Sequence, residues 1–201
     1  MDTIRTCHNN LITSPAWPEI KIQVESGLRF IGGQQITIYK IAAAEVYVFV
    51  EADAQRKIQR QLIVQFEHFL PHTDPSTYRY NYATPHTITI GGDAYKTDLR
   101  VVPVGAFGVP DPESDVAQVN QFIESQGYIR LTQDIEQVVV KRIMKELGEE
   151  RRHEILWIYR EPLNPPDLLF TSEDDSFMVS AAQLPLLADF EARARHSFSI
   201  L

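Results

Sequence analysis

From Glu19 to Val102 the chain repeats one pattern, apolar side chains at every second position in short runs divided by polar or glycine-bearing turns. A period of two places alternate residues on opposite faces, the mark of β-strands. In EIKIQVES, Ile20, Ile22 and Val24 alternate with polar neighbours, as on a strand with one wet face. In AEVYVFVEAD, Val46, Val48 and Val50 share one face while Tyr47 and Phe49 share the other, so this strand is expected at the centre of a sheet covered on both sides. RQLIVQFEHFL alternates again, with His68 on the face of Leu62, Val64, Phe66 and Leu70.

The turns between these runs are short, and short connections impose antiparallel pairing. Gly32-Gly33 and Gly91-Gly92 each sit between strand-like runs, where two adjacent positive φ values make a tight hairpin. The second hairpin would set Ile88 opposite Tyr95 and His86 opposite Thr97. The first 19 residues show no period and are broken by Pro15 and Pro18, so 1–19 reads as an extended arm.

The second half changes character. Asp111 with Pro112 at the first position predicts a helix that carries Val116, Val119, Phe122 and Ile123 on one face and stops at Gly127. Thr132 then predicts a second helix, with Ile135, Val138, Val139, Ile143, Met144 and Leu147 at helical spacing up to Gly148. EILWIYRE is a strand that returns to the sheet. DLLF and FMVS, joined by TSEDDS, predict a last hairpin. A C-terminal helix begins at Ser180 or Gln183 and runs to about Arg195, its basic end suited to the helix dipole. The apolar tail SFSIL either tucks into the domain or pairs with another subunit.

The fold class expected is α+β: a large curved antiparallel sheet of roughly seven to nine strands, of half-barrel type, with two or three helices of the C-terminal half packed against it. At 201 residues a single domain spanning 1–201 is expected. A content of 44% hydrophobic and 10% aromatic residues excludes a disordered chain. A formal charge of -8 argues against nucleic acid, whose binding rests on Lys and Arg neutralising phosphates. The lone Cys7 cannot form an internal disulfide, no leader opens the sequence, and no apolar run is long enough to cross a bilayer. A cytoplasmic protein without a membrane partner is the expectation.

Known catalytic signatures are missing: there is no G-x-S-x-G, H-E-x-x-H, C-x-x-C, G-x-x-x-x-G-K-[ST] or G-x-G-x-x-G. No enzyme activity and no cofactor is indicated. The residues that stand out are the alternating Tyr78, Tyr80 and Tyr82, with His68 and His86. Phenols and imidazoles on a concave sheet would give polar contacts to a small, largely apolar ligand. A metal set of His68, His72, His86 and Asp74 is the weaker reading, because Pro71 interrupts the H-x₃-H spacing. The alternative function is a protein–protein or homo-oligomeric assembly module that buries the tyrosine face and the SFSIL tail against a partner.

Overall fold

The computed structural model describes residues 4–77, 86–106, 108–132, 135–148, 150–163, 177–180 and 182–201. Tyr78, Tyr80 and Tyr82, the segment DLLF and Gln133-Asp134 lie outside them. The chain opens with β1 (Thr6–His8), β2 (Leu11–Ser14) and β3 (Ile20–Val24). The long strands β4 (Arg29–Ile38), β5 (Ala42–Ala52) and β6 (Ile58–Phe69) follow, then β7 (His86–Ile90) and β8 (Asp93–Pro103). Helix α1 (Asp115–Ser125) precedes β9 (Gln137–Leu147) and β10 (His153–Pro162). Helix α2 (Ala188–His196) and β11 (Phe198–Ile200) close the chain.

The fold is α+β. Seven strands form one antiparallel sheet in the order β4-β5-β6-β10-β9-β8-β7, and a four-stranded sheet has the order β1-β2-β3-β11. The small sheet and α2 cover one face of the large sheet: Ile12, Ile22, Val24, Phe190 and Phe198 share a core with Tyr47, Phe49, Leu62 and Trp157. On the opposite face Val119 and Ile123 of α1 join Val46, Val48, Ile63 and Ile158. This double cover explains why β5, β6 and β10 are apolar at consecutive positions. No described helix is long and apolar enough to cross a membrane.

The second glycine hairpin forms as its sequence demands. Gly91 (φ 61°) and Gly92 (φ 90°) turn the chain so that Ile88 pairs with Tyr95 and His86 with Thr97. The first pair does something else. Gly32 and Gly33 both lie inside β4, at a bulge between Phe30 and Gly32, and the turn falls instead at Tyr39 (φ 48°) and Lys40 (φ 58°). The glycine is needed for close approach, because α1 crosses β4 with the Phe122 ring over Gly32. Within segment 1–19, β1 and β2 form a hairpin about Asn9 (φ 50°) and Asn10 (φ 60°). The Asn10 amide donates to the carbonyls of Glu25 (3.0 Å) and Leu28, tying this hairpin to the entry of β4.

The second expected helix is a strand. Residues 137–147 form β9, paired with β8 on one side and β10 on the other. A strand buried on both faces is apolar at adjacent positions, so QVVVKRIM matches helical spacing by chance. Its β-branched run of Val138, Val139 and Val140 favours the extended form. Helix α1 also starts later than expected. Ser114 is its cap, accepting a hydrogen bond from Ala117 N at 3.2 Å, while the Asp111 carboxylate caps the preceding turn through Glu113 N at 2.8 Å. Its stop at Gly127 (φ 75°) is as expected, with Tyr128 N donating to Ile123 O.

The C-terminal helix follows a 3₁₀ turn at Leu184–Leu187 and ends in Arg193, Arg195 and His196. The tail tucks into its own domain: Phe198 pairs with Val24, and its ring stacks on Trp157 at 5.0 Å. Of FMVS, Met178 bridges to Arg100 on β8.

Candidate functional site

Strand order decides which expected site residues can meet. The hairpin β9–β10 inserts between β6 and β8, so the strand of His68 does not neighbour the one that carries His86. Four strand spacings separate them, about 19 Å. Both imidazoles are exposed. His68 lies on the face of Leu62, Val64 and Phe66 but does not enter the core; Phe66, with the Arg5 guanidinium 4.2 Å above its ring, is the last buried residue of that row. The neighbour of His68 is His153, directly opposite on β10, with ring centroids 5.8 Å apart. His72 Nε2 donates to the Lys40 carbonyl at 3.0 Å, and Asp74 accepts from Ser76 N at 2.9 Å. Among the described residues no three histidines, cysteines or acids gather into a metal-binding group.

The sheet face on the side of α1 carries the more telling set. Alternation places Gln61, Ile63, Gln65 and Glu67 of β6 on it, together with Leu156, Ile158 and Arg160 of β10. Arg142 and Met144 of β9 and Asp98 and Arg100 of β8 extend the same face. Gln65 and Asp98 are fully buried, and Gln61 is 3% exposed. Asp98 is answered: Arg142 donates to both its oxygens, and Arg100 Nε donates to Oδ2 at 3.3 Å. Gln65 Nε2 donates to Glu67 Oε2 at 2.8 Å.

Among the described residues, the buried Gln61 Nε2, Gln65 Oε1 and Arg160 Nε of this face have no hydrogen-bond partner. Gln61 and Arg160 stand directly opposite each other on β6 and β10. Burial disfavours the charged form of Arg160, Asp115 at the start of α1 offsets part of that, and Arg142 adds to it. A guanidinium stays charged in proteins, and Asp115 at the start of α1 supplies an opposite charge near it. The arrangement is therefore a cationic and amide-bearing spot framed by Ile63, Ile158 and Val140. It can hold an anion through charge-assisted hydrogen bonds and seat an apolar group beside it.

The signal for these residues was visible in RQLIVQFE and LWIYRE, where single polar side chains interrupt strands apolar on both faces. Their opposition needed the β6–β10 pairing, which joins positions far apart in the chain. No family model, no curated protein and no solved structure matches this chain.

Proposed function

We propose that this chain is a small-molecule-binding domain whose site lies on the α1 side of the seven-stranded sheet. Its ligand has a largely apolar body and one carboxylate-like head. Arg160 receives the head, the Gln61 amide donates beside it, and Ile63 and Ile158 flank the body. The observation that carries this reading is the buried Arg160 Nε, which faces no acceptor among the described residues opposite an equally unanswered Gln61 amide. Native structures leave few such groups without a purpose. Tyr78, Tyr80 and Tyr82 lie outside the described residues and precede β7 in the chain; phenol contacts from them belong to the same proposal.

Thermal unfolding against hexanoate, benzoate and inorganic phosphate tests it. A ligand at ten times its Kd adds about 1.4 kcal/mol, a readable rise in Tm. The carboxylates are expected to stabilise wild type and not Arg160→Met, with Gln61→Leu and Tyr80→Phe giving weaker responses. If no compound shifts wild type, or Arg160→Met responds equally, the site is not there.

A further inference from the structure

A second feature, independent of the anion site, lies where the small sheet meets the end of β6 and β10. His68 and His153 oppose each other directly across the antiparallel pair, their rings 5.8 Å apart and inclined by 29°. Directly opposite residues have Cβ atoms close enough for both side chains to reach one point. Both residues are exposed, and the ring contacts of the pair are with each other and, for His153, with Trp17. Trp17, half exposed, meets the His153 ring edge-on at 5.0 Å and packs over Gly148, which fixes one wall of the pair.

We propose that His68 and His153 form a two-imidazole site for a divalent copper ion, with water in the remaining positions. Neutral imidazole nitrogens are good ligands for Cu²⁺, which among the first-row divalent ions binds such sites most tightly and accepts tetragonal nitrogen–oxygen coordination. The nearby cations are engaged elsewhere. Arg5 pairs with Glu45 at 3.2 Å, and Arg152 donates to the carbonyls of Leu70 and Thr73.

Trp17 makes the site readable. Copper(II) quenches an indole in contact with it, whereas Trp157 lies four residues along β10, about 13 Å away, stacked on Phe198. Tag-free protein titrated with Cu²⁺ is expected to show saturable quenching, with His68→Ala and His153→Ala each binding at least about tenfold more weakly, as loss of a chelate demands. Trp17→Phe should remove most of the quenching and leave the calorimetric affinity unchanged. Unfolding midpoints of the variants check that each is folded. Affinity that falls by less than about threefold in both histidine variants would mean independent surface histidines, and the chelate would be refuted.

Discussion

Gly32 of β4 lies against the ring of Phe122 on α1, so closely that a Cβ at position 32 would stand 2.9 Å from Phe122 Cζ. The backbone there also has φ 137°, a conformation L side chains rarely adopt. Two separable effects thus hold the position to glycine. Gly32→Ala is expected to cost about 2–3 kcal/mol in urea unfolding, part from overpacking and part from backbone strain. In a Phe122→Ala background the steric part disappears and the same substitution should cost only about 1 kcal/mol. Equal costs in both backgrounds would show that the ring does not press on β4.

The tail is joined to the core through the Phe198 ring, with Ile200 packed against the same core. Phe198 stacks on the fully buried Trp157 at 5.0 Å with 9° between planes, and β11 adds backbone pairing to β3. Phe198→Ala should therefore destabilise by about 3–4 kcal/mol, within the range for loss of a buried aromatic ring. Trp157 emission should shift to the red in the folded variant as water reaches the indole. An unchanged midpoint would mean that the tail is dispensable.

What could be read from the sequence follows the range of the interactions. The Gly91-Gly92 hairpin and its register rest on neighbours along the chain, as does the stop of α1 at Gly127, and these were legible. Strand β9 was not, because its burial on both faces erases the period of two and leaves Val139, Ile143 and Met144 at spacings a helix also allows. The insertion of β9–β10 between β6 and β8 was invisible for a different reason: no local pattern encodes which distant strand pairs with which. That insertion separates His68 from His86 and brings His153 to His68 and Arg160 to Gln61. The candidate site was thus present in the sequence as odd polar residues in apolar strands, without their partners.

Cys7, in β1, has its thiol pKa pushed up to about 11 by burial. The thiolate is the reactive species, so at pH 8 the native protein should react with iodoacetamide roughly a hundredfold more slowly than a thiol of ordinary pKa. Unfolding in urea should restore the ordinary rate, and raising the pH toward 11 should accelerate the native reaction. A native rate equal to the unfolded one would show that the β1–β2 hairpin leaves the thiol open.

His153 gives the stability a pH dependence of definite sign. Burial, then His68, Arg152 and Arg5, hold its folded pKa below the ordinary histidine value of 6.5. The unfolded chain therefore takes up a proton more readily than the native one, and stability falls as pH drops through 6.5 and levels off once the pH is below the folded value. Above 6.5 both forms are neutral and the term vanishes. His153→Gln keeps a polar side chain at the position and removes the titration, so its unfolding midpoint should lose less between pH 7 and pH 5.5 than that of wild type. Charged groups facing the ring from each packed element (Arg5 before β1, His68 on β6, Arg152 beside it) remain in both proteins, so the difference isolates this one ring. Parallel acid profiles for the two would mean that the His153 ring protonates freely in the native state.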